Sequence, residues 1–424
     1  MEHVLGLECV ICGEMYGADE VQYVCPNHGN DGILDVKYDY ELIAHRVEEN
    51  PIPPVGSGGG IWRYRDLLPV AIDEFPPLMV GDTPLYNSTR LANALGIRKV
   101  LIKDDSRQPS ASFKDRASAL ALVKAEETGA GVIATASTGN AAAALACIAA
   151  SVEKPTVIFV PASAPKAKIA QLLVYGSTVM LVEASYDAAF ELCLEACDKF
   201  GWYNRNTAFN PYMTEGKKTV VYEVCQQLGQ TQGGTWQVPD VVVVPVGDGC
   251  IIGGVHKGFT DLLQLGWIDQ MPRIIGVQAA GSDFLWQAWS QQEDVLTKAP
   301  IVAETVADSI SAGLPRDRIK AMRAVNQTGG AFVRVSDEMI LNAIPILARA
   351  TGVFAEPAAA AAYAGLESAL RQGFIEEKES VLVLVTGSGL KDINAAMRAK
   401  GDLFTIKPSI DEVVQVVSTL ERGV

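Results

Sequence analysis

A chain of 424 residues that is 49% hydrophobic can bury a full core and has length for two or three domains. Its formal charge of −15 and the absence of any Lys/Arg run longer than a pair exclude a phosphate-backbone partner, which would need basic stripes. Scattered glycines and prolines exclude a long disordered tract, and the longest apolar stretch, Ala141 to Ala150, is too short to span a bilayer.

The opening residues Met1–Glu8 carry neither a basic region nor an apolar one, so no secretory signal is expected and a cytoplasmic location is the default. The eight cysteines are too uneven for a disulfide framework. Cys9 and Cys12, followed by Cys25 and His28, form two close pairs of ligands that suit a tetrahedral structural zinc. Ordinary buried thiols would read the same way. Pro51–Gly60 is a turn-rich linker, and Trp62–Arg65 with Phe75-Pro76-Pro77 form an arm that leads to Gly81.

Beyond Gly81, short β-branched runs alternate with helical patterns. Strands are expected at Val100–Lys103, Val132–Thr135, Thr156–Val160, Thr178–Val182, Val241–Val246, Arg273–Val277 and Val381–Val385. Helices are expected at Lys114–Thr128, Asn140–Ser151 and Tyr186–Phe200. Unbroken apolar strands separated by helices indicate an α/β, doubly wound parallel fold, whose ligands collect beyond the carboxyl ends of the strands.

Four loops stand out there. Pro109–Arg116 opens a helix that Ser110 or Ser112 could cap, with Lys114 in a first turn that disfavours cations. A solvated surface lysine is the bland alternative. Ser137-Thr138-Gly139-Asn140 offers hydroxyls and an amide at a helix start, a cradle for a carboxylate or simply a cap. Gly247-Asp248-Gly249-Cys250-Ile251 lets backbone N–H groups approach a phosphate, although a packing turn would look alike and the spacing is not that of a dinucleotide fingerprint. Thr386–Asp392 ends a strand with a hydroxyl that could face a heteroaromatic nitrogen or cap a helix.

Together these segments resemble the fold-type II pyridoxal-phosphate (PLP) enzymes, and most closely the threonine synthases. The pieces occur in family order: Gly81-Asp82-Thr83-Pro84-Leu85, Ser112-Phe113-Lys114-Asp115-Arg116, Ser137–Asn140, Asn210-Pro211-Tyr212 with Glu215-Gly216, the glycine loop, Glu356-Pro357-Ala358 and Thr386–Asp392. The cysteine ribbon also looks like an extension found in some threonine synthases. Two departures stand out: Met213, where many carry a polar or basic residue, and Ser388, where the motif often has histidine.

The resemblance implies a tryptophan-synthase-β-like architecture. A zinc-ribbon-like extension would span 1–35, a linker arm 36–80, a large cofactor domain 81–128 with 203–424, and a small domain 129–202. It further implies Lys114 as Schiff-base residue and proton carrier, Phe113 beside the ring, and Asn140 on the phenolic oxygen. Gly247, Asp248, Gly249, Cys250 and Ile251 would lie around the cofactor phosphate, with Thr386 at the pyridine nitrogen. Ser112, Ser137, Thr138 and Gly139 would hold the substrate. A hydroxyl at the ring nitrogen leaves a weaker electron sink than a carboxylate, which favours elimination and replacement over transamination.

The implied reaction is conversion of O-phospho-L-homoserine and water to L-threonine and phosphate, catalysed by a cytoplasmic homodimeric lyase. Cations by position for the leaving phosphate are Lys166, Lys168, Arg205, Lys217 and Lys218, joined by Asn206 and Thr207. A serine/threonine dehydratase or a β-replacing enzyme like cysteate synthase is the alternative. A nicotinamide-dependent oxidoreductase fits poorly, because Gln278 stands where a ribose-binding acid belongs, and a silent ligand-binding paralogue fits poorly with the retained Lys114.

Overall fold

The computed structural model describes residues 1–164, 166–232, 236–399 and 403–421. In chain order its strands are β1 (Val4–Cys9), β2 (Met15–Tyr16), β3 (Leu34–Tyr38), β4 (Leu85–Asn87), β5 (Lys99–Asp104), β6 (Ile133–Ala136) and β7 (Thr156–Pro161). They continue with β8 (Thr178–Val182), β9 (Tyr203–Asn204), β10 (Val241–Pro245), β11 (Arg273–Ala279), β12 (Ala331–Val335) and β13 (Ser380–Val385). All seven expected strands are present. Beyond Gly81 the expected strands omit β12, whose apolar run is interrupted by Arg334, the three-residue β4 and the two-residue β9.

The strands form three sheets: β2-β1-β3, β12-β11-β10-β13-β5-β4 and β8-β7-β6-β9. The first is antiparallel; the other two are parallel apart from β4. Residues of β10 and β13 are buried along their whole length because helices cover both faces. Alternate residues divide between two apolar layers. Val242, Val244, Leu382 and Leu384 meet helices Lys114–Glu127, Tyr212–Gln232 and Cys250–Gln264. Val241, Val243, Val381 and Val383 meet helices Asp337–Thr351 and Pro357–Arg371. The second of these has five consecutive alanines and sits close to the sheet: a Cβ on Gly365 would lie 2.2 Å from Val277 Cγ2.

The segment read as an arm is structured. It holds a helix, Tyr40–Glu49, and a 3-10 segment, Gly60–Leu67, whose Ile61, Tyr64 and Leu67 are buried in the larger apolar layer. The three-stranded sheet joins the same layer through Leu7, Leu34 and Val36. Val10 and Ile33 of this ribbon also pack with Ala208 and Cys250, so the ribbon backs onto the glycine loop. Among the described residues, no helix is long and apolar enough to cross a membrane.

Candidate active site

Three helix starts line the site. Asp39, Ser88, Ser185 and Ser336 cap their helices by accepting a backbone N–H. The helices that begin at Lys114, Asn140 and Cys250 have Phe113, Gly139 and Gly249 at the cap position and no side-chain cap. The first N–H groups of the Asn140 and Cys250 helices are open to an anion, whereas in the Lys114 helix those of Asp115 and Arg116 donate to the Ser112 and Phe113 carbonyls. All three helix starts border one cleft of about 710 Å³, which lies between the six-stranded and four-stranded sheets.

Neither Ser110 nor Ser112 caps the Lys114 helix. Both the amide and the hydroxyl of Ser110 donate to the Asp115 carboxylate instead. Ser112 is fully buried and bridges to Gly387, while the Phe113 N–H donates to the Thr386 carbonyl at 2.9 Å. The Lys114 loop is thereby stitched to the end of β13. Arg116 anchors it from below: its Nε lies 2.6 Å from Asp105 and its Nη1 2.8 Å from Glu223, which also pairs with Lys103 at 2.8 Å. Thr83 donates to Asp105 at 2.7 Å and the Asp82 N–H to Glu223 at 3.0 Å, so the Gly81–Leu85 motif docks on the same buried network.

Lys114 itself lines the cleft, half-buried, and its amine has no hydrogen bond among the described residues. Burial lowers its pKa, opposed by Glu356, Cys250 and Asp248 and assisted by Arg205. Asn140 donates to both Glu356 oxygens, at 2.9 and 3.0 Å, and accepts from Lys391 at 3.0 Å. Burial pushes the Glu356 carboxyl up, with Asn140 and three lysines pulling the other way. Thr386 is buried at the cleft wall, and its hydroxyl makes no hydrogen bond among the described residues. Glu356 and Lys391 went unassigned in the sequence reading; each lay inside a quoted motif, and only the fold aims them at Asn140.

The glycine loop packs tightly on its outer side. A Cβ at Gly247 would lie 2.7 Å from Ile310 Cα, and one at Gly249 2.7 Å from the Asp317 carbonyl. Gly247, Asp248, Gly249, Cys250 and Ile251 all border the cleft, as do Ser137, Thr138 and Gly139. Phe113 lies fully buried behind Lys114.

The five cations considered for a phosphate divide sharply. Lys166 is exposed, Lys168 pairs with Asp308 at the cleft wall, and Lys218 is held by Glu215 at 2.6 Å and Asp261 at 2.7 Å. Arg205 lines the cleft, donates from Nη1 to Thr207 at 3.0 Å and leaves Nη2 unpartnered. Lys217 is fully buried, and its Nζ is unpartnered among the described residues. Asn206 accepts from Thr135 and the Ala136 N–H, and one amide hydrogen faces Cys193 Sγ at 3.4 Å. Met213 is core, 1% exposed.

At the other end of the chain, the ligand atoms of Cys9, Cys12, Cys25 and His28 lie within 4.8 Å of one another. The Ile11 N–H donates to Cys9 Sγ at 3.4 Å, and His28 Nε2 is buried with no partner.

A family profile described as "Pyridoxal-phosphate dependent enzyme" matches residues 77–387. The threonine synthase of Methanocaldococcus jannaschii is 35% identical over 97% of this chain and 99% of that protein. The threonine synthase of Methanosarcina acetivorans is 36% identical over 97% and 98%, and that of Mycobacterium tuberculosis 34% over 87% and 99%. Among solved structures, the processed threonine deaminase isoform 2 of Solanum lycopersicum has a TM-score of 0.64 at 21% identity, covering 85% of this chain and 88% of that one. Maize serine racemase has a TM-score of 0.62 at 22% identity, over 74% and 91%. At such identities these two show the fold alone. The chain belongs to the pyridoxal-phosphate dependent enzymes and, within them, to the threonine synthase family.

Proposed function

We propose that this member of the threonine synthase family converts O-phospho-L-homoserine and water to L-threonine and phosphate, with pyridoxal 5'-phosphate attached to Lys114. The observation that carries the reading is an unpartnered, half-buried lysine facing an uncapped helix N-terminus across one cleft. The residues present fit the cofactor. The Lys114 amine is free, the Gly247–Ile251 loop exposes main-chain donors, and Thr386 offers an unused hydroxyl to the pyridine nitrogen. Phe113 supports the ring side of the lysine loop, and Asn140 would turn an amide hydrogen to the phenolic oxygen.

When bound, the cofactor supplies an electron sink for negative charge developing at the substrate α-carbon. Lys114 takes the Cα proton and returns it at the end of the cycle. Its lowered pKa leaves more free base near neutral pH than an exposed lysine would have. Ser137, Thr138 and the open N–H group at Asn140 hold the substrate carboxylate, with Ser112 fixing the loop that carries Lys114. The leaving phosphate faces the free Nη2 of Arg205, with Thr207, Lys168 and the second amide hydrogen of Asn206 around it. Movement of the four-stranded-sheet domain, roughly residues 129–202, onto the carboxylate would exclude water from the cleft.

Borohydride reduction of the yellow holoenzyme, followed by peptide mass mapping, should place the cofactor on Lys114. Incubation with O-phosphohomoserine should release phosphate and threonine in equal amounts. Rapid ketoacid formation from serine or threonine without phosphate release would replace this reading with a dehydratase. The same reading has the enzyme as a cytoplasmic homodimer, which light scattering after size exclusion tests directly.

Cys9, Cys12, Cys25 and His28 fit a structural zinc: three thiols and one imidazole in reach of a single ion, with a backbone N–H already on one sulfur. Such a closed set offers no open position for chemistry. Metal analysis of protein purified without chelator should find one zinc per chain, lost in Cys12→Ser.

A further inference from the structure

Lys217 is out of place by ordinary electrostatics. It has no exposed surface, and its Nζ has neither hydrogen bond nor ion pair among the described residues. Its stem lies against Gly254, where an added Cβ would stand 2.8 Å from the Lys217 Cβ. Among the ionisable groups around it, Cys250 acts most strongly, ahead of Arg205, Lys114 and Asp317. The lysine stem thus lies about one turn from Cys250, the first residue of helix Cys250–Gln264, where the helix dipole concentrates positive charge. Arg205, with its own unpartnered Nη2, adds to that charge. Burial, followed by these cations, brings Lys217 down to about 8. Asp317 is nearby and raises the lysine's pKa, yet it makes no ion pair with Lys217 among the described residues. Among the described residues, no carboxylate thus forms an ion pair with this buried cation.

We propose that Lys217 is a phosphate-binding residue: from beneath the Gly247–Ile251 loop it supplies the counter-charge to a phosphate monoester dianion seated on the open N-terminus of helix Cys250–Gln264, and that dianion is the cofactor's own phosphate. Lys217 does not border the cleft that a substrate would enter, so the phosphate it meets must be the one held by the loop. Gly254 provides the room: a side chain there would collide with the lysine stem and with the Thr214 carbonyl, 3.3 Å away. The inference rests on the pyridoxal-phosphate reading above.

The test uses Lys217→Met, which keeps the length of the stem without its charge, and Lys217→Arg, which restores a cation. Apoprotein is titrated with pyridoxal phosphate and, separately, with pyridoxal, which lacks the phosphate. Loss of one charge-assisted hydrogen bond predicts pyridoxal phosphate binding weakened by about tenfold to a hundredfold in Lys217→Met. Lys217→Arg should recover part of that loss, and pyridoxal should bind wild type and Lys217→Met alike. The 31P resonance of bound cofactor should hold still in wild type between about pH 6 and about pH 8, around the second phosphate ionisation, and move with pH in Lys217→Met. Unchanged cofactor affinity, or equal losses for pyridoxal and pyridoxal phosphate, overturns the proposal. So does unchanged cofactor affinity with lost inhibition by inorganic phosphate, which would assign Lys217 to the substrate. A wild-type protein that takes up no pyridoxal phosphate would strike the cofactor reading itself, a result distinct from normal uptake that Lys217→Met leaves unaltered.

Discussion

Asn140 Nδ2 lies 2.9 Å from one carboxylate oxygen of Glu356 and 3.0 Å from the other, joining the first residue of a helix beside the four-stranded sheet to the residue that precedes helix Pro357–Arg371. Lys391 closes the triad from the far side of Asn140. Asn140 thus meets two motifs that lie more than two hundred residues further along the chain in one hydrogen-bonded group. Glu356→Ala would leave the Asn140 amide without its acceptor and Lys391 without its anion. The expected outcome is a fall in kcat of at least about tenfold, as for other buried charge-assisted bonds, with the protein still folded by circular dichroism.

Gly249 has φ +91°, and a Cβ there would also meet the Asp317 carbonyl at 2.7 Å. Gly247 has ordinary backbone angles and is limited by space alone, with Ile310 Cα at 2.7 Å. Gly249→Ala should cost about 1–3 kcal/mol in urea unfolding, since it combines strain with collision. Gly247→Ala should weaken cofactor binding more than it lowers stability, because the loop must shift as a unit. Parallel unfolding curves and cofactor titrations of the two variants check the contrast.

Burial raises the Asp115 carboxyl to about 7, against 3.8 for the free group. Between those values the folded chain holds an extra proton, so this residue makes stability fall as pH rises from about 4 to about 7. Asp115→Asn removes the titration while keeping an acceptor for Ser110. The difference in Tm between pH 5 and pH 8 should therefore narrow in the variant; an unchanged or wider difference would contradict the assignment.

The Arg116–Asp105–Glu223–Lys103 network has no exposed side chain. Glu223→Ala strands Lys103 in the interior and leaves Arg116 with Asp105 alone, and such a break costs about 3–5 kcal/mol. Arg65→Ala, whose side chain is half exposed beside Asp73, provides the comparison and should change stability little.

The strands and the four loops were legible because apolar runs of β-branched residues and clustered Gly, Ser and Thr leave local signals. The positions of Lys114, Asn140 and Thr386 on one cleft follow from the rule that ligands gather at strand ends. What could not be read was long-range polar pairing. Nothing near Glu356 in sequence announces Asn140, and nothing near Arg116 announces Glu223. Ser110 looked like a helix cap because its spacing permits it, yet Asp115 competes for the same hydroxyl and amide and wins. The arm before Gly81 was read as linker from its prolines and glycines, while burial of Ile61 and Tyr64 shows it belongs to the core.

Strand β13, the last among the described residues, lies between β10 and β5 in the middle of the six-stranded sheet. While the protein is being translated, both neighbours must therefore wait with an unsatisfied edge until residues 380–385 leave the ribosome. The Lys114 loop waits with them, since Phe113 and Ser112 find their partners only at Thr386 and Gly387. Premature termination between β12 and β13 would yield a chain that retains the lysine yet lacks the wall it is held against, with two adhesive edges open to other chains.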